Sequence, residues 1–148
     1  MRTLATSGCV DDLISRTQLI TPEQPRLWGT MTAHQMLLHL GDAAAAALGQ
    51  KQFVLKPRPG GAVIRFVLFY LVPRYPRGVR VGNNPAGRVV DPATFEHDKQ
   101  RVIDLTRAMA APNAPLVPKH PLFGTMRRGS WMRWAYMHTD HHLRQFGV

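Results

Sequence analysis

One run in this chain has the composition of a β-strand, AVIRFVLFYLV at residues 62–72, and no second run of that kind is available to pair with it. A strand satisfies its backbone groups through a neighbouring strand, and too few strands make no stable sheet in water. The core must therefore be built by helices. The 62–72 insert is read as a short helix packed over that core, despite its β-branched and aromatic content.

Helix signals occupy the rest of the chain. Residues 9–19 carry Val10, Leu13, Ile14 and Leu19 among charged residues, which suits a short amphipathic helix ending before Pro22 and Pro25. Thr32 followed by Gln35 can form a capping box, and the apolar side then runs through Met36, Leu40, Ala43 and Ala47 toward Gly49. Five consecutive alanines favour helix and allow a neighbour to approach closely. Asp91 and Pro92 read as an N-cap and first helical residue, opening a helix to about residue 111 with Phe95, Val102, Leu105 and Met109 inward. After the proline-rich connector APNAPLVPKHPLFG, a last helix should begin at Thr125 or Met126 and reach about Phe146. Residues 50–92 are rich in Pro and Gly and should be mostly loop. The expected architecture is all-α: an up-and-down four-helix bundle with an accessory short helix and a long basic loop.

A chain of 148 residues, 45% of them hydrophobic, can fill one core, so a single domain over residues 1–148 is expected. There is no run of eighteen apolar residues and no apolar segment of signal-peptide type in MRTLATSGCVDD. The expectation is a soluble cytoplasmic protein without a membrane partner. The lone Cys9 cannot form an internal disulfide.

The formal charge is +10, and its distribution is uneven. No acidic residue lies between Asp42 and Asp91, whereas Lys51, Lys56, Arg58, Arg65, Arg74, Arg77, Arg80 and Arg88 do. Such a block could attract an anion, a phosphate backbone or a membrane surface, although charge alone specifies no partner and the excess of Arg over Lys favours a solvated basic connection. Nucleic acid is disfavoured as a partner, because the block has no recognition helix and Phe66, Phe69 and Tyr70 sit in an apolar run suited to packing. That run could cover the core or form a homodimer face.

The histidines carry the chemistry. His138 and His142 stand four apart on the last helix, so they differ by only about 40° in direction and project from one face. They share it with Trp131, Trp134 and Ala135. Two such imidazoles can hold a metal ion if a third ligand comes from another helix, and His39, beside Met36, Ala43 and Ala46, is the best candidate. The competing reading is a set of partly buried histidines bonded to carbonyl groups. His141 points about 100° away from His142 and reads as a rim residue. His34 should be exposed in the first helical turn, and His97 and His120 should lie at the surface.

The segments LWGTMTAHQMLLHLGDA, HPLFG and W-x4-Y-x-H-x2-HH-x2-QFG together resemble the DinB-like (YfiT-like) four-helix-bundle superfamily, and within it an uncharacterised bacterial branch. The resemblance covers roughly residues 25–50 and 118–147. It implies a divalent metal held by His39, His138 and His142, with water completing the shell. Zinc, nickel or iron would suit imidazole ligands. Asp42, one turn beyond His39, and Gln145, one turn beyond His142, are candidates to orient the rings, with His141 beside them. Superfamily members with known activities resemble thiol transferases or hydrolases, which implies a small-molecule substrate and a low-molecular-weight thiol as co-substrate. Arg77 and Arg80 could steer an anionic substrate. The alternative is a basic, non-catalytic nucleic-acid-binding module whose histidines are structural.

Overall fold

The computed structural model describes residues 1–54, 60–78 and 87–148. Among these residues it is mostly helical, with five α-helices and one small two-stranded sheet. Helix α1 (Cys9–Gln18) begins after Gly8 and buries Cys9, Leu13, Ile14 and Thr17. Asp11 and Asp12 in its first turn and Arg16 in its last complement the helix dipole. Leu19 falls outside α1 and is 63% exposed, so it does not extend the apolar face.

Helix α2 (Ala33–Ala47) starts at the capping box expected from Thr32 and Gln35: the Gln35 N–H donates to Thr32 Oγ1 at 3.2 Å, and the Thr32 N–H donates to Gln35 Oε1 at 2.9 Å. Two otherwise orphaned donors are thereby satisfied. Asp91 Oδ1 accepts from the Ala93 N–H, and Pro92–Thr94 forms a 3-10 turn that feeds α4 (Phe95–Ala110). Phe95, Val102, Leu105 and Met109 of α4 face inward as the periodicity requires.

Residues 62–71 are helical, running from α3 (Gly61–Phe66) into a π-helical turn at Val67–Leu71, and Val72 is extended. Gly61 is needed for this placement, since a Cβ there would lie 2.8 Å from the Leu122 carbonyl oxygen. Phe69 is fully buried, with its ring 5.0 Å from that of Phe123.

One expectation is corrected in the connector before the last helix. Lys119–His120 (β1) pairs antiparallel with Gly124–Thr125 (β2), so α5 begins at Arg128 rather than at 125 or 126 and runs to Gln145. Two-residue strands carry no periodicity that a sequence could display. Gly124, at φ 68°, supplies the turn.

Helix α2 packs on α4 and α5, and α1 packs on α4 and α5. One continuous apolar cluster results, centred on Leu13, Met36, Leu37, Met109, Trp131 and Leu143. Loop 20–31 is fastened to the end of α5: the Leu27 N–H donates to the Gln145 carbonyl at 2.6 Å, and Gln24 Nε2 donates to the Phe146 carbonyl at 2.9 Å. Among the described residues, no helix is long and apolar enough to cross a membrane.

Candidate metal centre

The fold brings His39 of α2 against His138 and His142 of α5, and one ligand atom from each ring lies within 4.8 Å of the other two. The His39 and His138 Nε2 atoms are 3.1 Å apart. Two such nitrogens either share a proton or, both bare, face a common cation; tetrahedral ligands at about 2.05 Å would stand about 3.3 Å apart. The widest separation needs a modest contraction, because two nitrogens bonded to one ion at about 2.1 Å cannot exceed about 4.2 Å. Among the described residues this is the only cluster of three or more metal-ligating side chains.

The surroundings hold the two rings of α5. Trp134, one turn before His138, stacks on it with centroids 5.0 Å apart and planes 14° from parallel. His142 Nδ1–H donates to Gln145 Oε1 at 2.7 Å, which fixes the tautomer and leaves Nε2 with a bare lone pair. Gln145 is kept in place by the absence of a side chain at Gly29, where a Cβ would meet its Nε2 at 2.8 Å. Burial keeps all three imidazoles neutral. It lowers His39 to about 4 against the opposing charge of Asp42, and it pushes His138 and His142 well below the ordinary histidine range, where repulsion from neighbouring histidines adds to the effect. Neutral rings are what metal ligation requires.

Asp42 orients no ring through a hydrogen bond. Its carboxylate is taken by Lys51, Arg88 and Arg101 at 2.7, 2.7 and 3.4 Å, and it reaches His39 only through its charge. His141 is half-buried, its ring centroid 5.2 Å from that of His142 and 6.1 Å from those of Trp28 and Tyr75. Burial, then Arg144, lowers its pKa. Arg77, one of the two proposed anion-steering arginines, is exposed and lies over the Trp28 ring at 4.3 Å, and Trp28 in turn lies against His141. Arg80 lies outside the described residues.

Two histidines expected at the surface are buried. His34 Nε2–H donates to Asp98 Oδ2 at 2.8 Å across the α2–α4 contact. His120 is enclosed by Phe53, Phe123, Trp131 and Trp134, and its Nδ1 accepts from the Leu122 N–H. In both cases partners distant in sequence, Asp98 for His34 and the rings of Phe53, Trp131 and Trp134 for His120, decide the burial. His97 is exposed.

Sequence reasoning did not single out Trp28 and Tyr75. With His141 they form a wall in which Trp28 Nε1, the Tyr75 hydroxyl and His141 Nδ1 are buried without a hydrogen-bond partner among the described residues. Tyr75 lies in a Pro- and Arg-rich stretch without periodicity, and no pattern there could have marked it.

No curated protein and no solved structure matches this chain. A family model described as "Protein of unknown function (DUF1569)" matches residues 71–147, a span that holds Tyr75, Arg77 and all of α5 but not His39. The chain belongs to the DUF1569 family.

Proposed function

We propose that this chain is a metal-dependent enzyme of the DinB-like superfamily, an up-and-down four-helix bundle in which His39, His138 and His142 hold a divalent ion. The observation that carries the reading is the convergence of three neutral imidazoles from two helices, His142 buried and His39 and His138 half-buried, without a fourth ligand in the cluster among the described residues. Structural zinc is usually closed by four protein ligands, whereas three leave a position for chemistry. An ion bound there supplies Lewis acidity, lowering the pKa of a water or a thiol toward neutrality.

The chain's own residues do the rest. Gln145 holds His142 Nδ1–H so that Nε2 faces the centre, and Trp134 fixes the plane of His138. The unpartnered Trp28 N–H and Tyr75 hydroxyl supply hydrogen bonds that a small-molecule substrate can complete. Arg77 attracts an anionic group toward that wall. Thiol transfer and hydrolysis both fit this arrangement.

Elemental analysis of protein purified without an affinity tag should find one equivalent of zinc, nickel or iron, lost in His138→Ala and in His142→Ala. Thiol-transfer or hydrolytic activity found by screening should disappear with the metal. Unchanged metal content in both variants would overturn the reading.

A further inference from the structure

A surface helix ordinarily turns polar residues to water. The helix at residues 61–71 does not. Its inward positions are Gly61, Ile64, Leu68 and Phe69, and its outward positions are all apolar or aromatic. Val63, Phe66, Val67, Tyr70 and Leu71 are between 39% and 68% exposed, spaced along one face at helical intervals. The helix's one cation, Arg65, is turned back onto the protein, where its guanidinium donates to the carbonyls of Phe123 and Thr125.

The helix lies in the 48-residue interval between Asp42 and Asp91 that contains eight basic residues and no acidic one. At its C-terminal end Tyr70 and Leu71 adjoin an open cleft of about 500 Å³ that is also lined by Arg2, Arg74, Arg133 and Asp140. Arg74 has no carboxylate partner among the described residues. A second copy of the chain suits this face poorly, because a symmetric contact would bring Arg74 near its own counterpart, and the one carboxylate lining the cleft, Asp140, is already taken by Arg16 and Arg144. Nucleic acid suits it poorly too, since the Tyr70 hydroxyl is the sole polar group along the outward positions.

We propose that the helix at residues 61–71 is a membrane-docking element: its apolar face enters the headgroup–acyl boundary of an anionic bilayer while Arg74 and the neighbouring basic residues meet lipid phosphates. Apolar burial and attraction to anionic lipid together give the affinity of such interfacial helices. The docking is peripheral, and it does not depend on the metal centre.

The test is flotation of the full chain with vesicles of phosphatidylcholine alone or of phosphatidylcholine and phosphatidylglycerol in equal parts. Binding is expected to the anionic vesicles only, to weaken with salt, and to fall about tenfold or more in the Phe66→Ser/Tyr70→Ser double variant. Both positions are exposed, and circular dichroism and thermal unfolding check that the variant is folded. As a measurement that needs no loss of function, the Tyr70→Trp variant should show blue-shifted indole emission on anionic vesicles and quenching by brominated acyl chains. No binding to anionic vesicles at low salt overturns the proposal. So does equal binding by the double variant, or indole emission in Tyr70→Trp that lipid leaves unmoved, since net charge alone would then explain the attraction. A wild-type dimer that Phe66→Ser/Tyr70→Ser dissociates, without vesicle binding, assigns the face to a second copy instead. Binding of RNA that the double variant retains, without vesicle binding, overturns it in favour of the basic block alone.

Discussion

His142 Nδ1 and Gln145 Oε1 are 2.7 Å apart, one helical turn from each other, and Gly29 from a separate loop leaves the space in which that amide sits. The hydrogen bond decides which nitrogen of His142 is free. It ties ligand geometry to a loop that is itself stapled to the end of α5 through Leu27 and Gln24.

Gln145→Ala should keep the fold and weaken metal binding about 10- to 100-fold, the usual cost of losing a residue that orients a ligand ring. Competition with a calibrated chelator measures it. Affinity equal to that of the unmodified protein would show that Gln145 does not set the orientation of His142.

Gly29→Ala acts on the same bond from the other side. Gly29 has φ 87°, a left-handed conformation, and the added Cβ would lie 2.8 Å from Gln145 Nε2. The variant should lose about 1–2 kcal/mol in denaturant unfolding, from backbone strain and displaced amide together. Its metal affinity should fall in the same direction as that of Gln145→Ala.

Metal binding to the native state alone stabilises it by mass action, about 2.7 kcal/mol at a free metal concentration one hundred times Kd. Thermal unfolding of the metal-loaded protein should therefore shift upward relative to chelator-treated protein. The shift should vanish in His39→Ala, whose ligand comes from the other helix.

The apoprotein should be acid-sensitive. Burial holds His39 and His120 at about 4 and His138 and His142 well below the ordinary value, against about 6.5 in the unfolded chain. The unfolded state thus binds more protons below pH 6.5, and stability falls as pH drops from about 6.5 toward 4 and beyond. Each such histidine contributes a slope of about 1.4 kcal/mol per pH unit within that window. Denaturant midpoints between pH 7 and 5 measure the decline, and His120→Phe should make it shallower.

Tyr75→Phe should separate stability from ligand binding. Its hydroxyl is buried with no hydrogen-bond partner among the described residues, so its removal should leave stability unchanged or raise it by about 1 kcal/mol. Turnover of a substrate found by screening should fall. A marked loss of stability in the variant would show that the hydroxyl bonds within the folded chain.

Much of the helical framework was legible in local signals. The Thr32–Gln35 box and the Asp91–Pro92 start act within a few residues, and both helices begin where these residues place them, to within one short 3-10 turn. The i, i+4 spacing of His138 and His142 likewise follows from helix geometry alone. The short β1–β2 ladder, the burial of His34 and His120, and the wall of Trp28 and Tyr75 were not legible, because each depends on groups distant in sequence or on strands too short to show a period.

By itself the sequence determined that helices build most of the structure, that two imidazoles share a face of the last one, and that the 62–72 insert, strand-like in composition, is better read as a helix for want of a partner strand. Those are consequences of residue type and of periods of a few residues. Only the tertiary structure decided that Asp42 serves Lys51, Arg88 and Arg101 rather than a histidine ring, that Gly29 opens the space for Gln145, and that the outward face of residues 61–71 is apolar. Ion pairs, close approaches and exposure are settled by which surfaces meet when helices pack, and no local pattern encodes that choice.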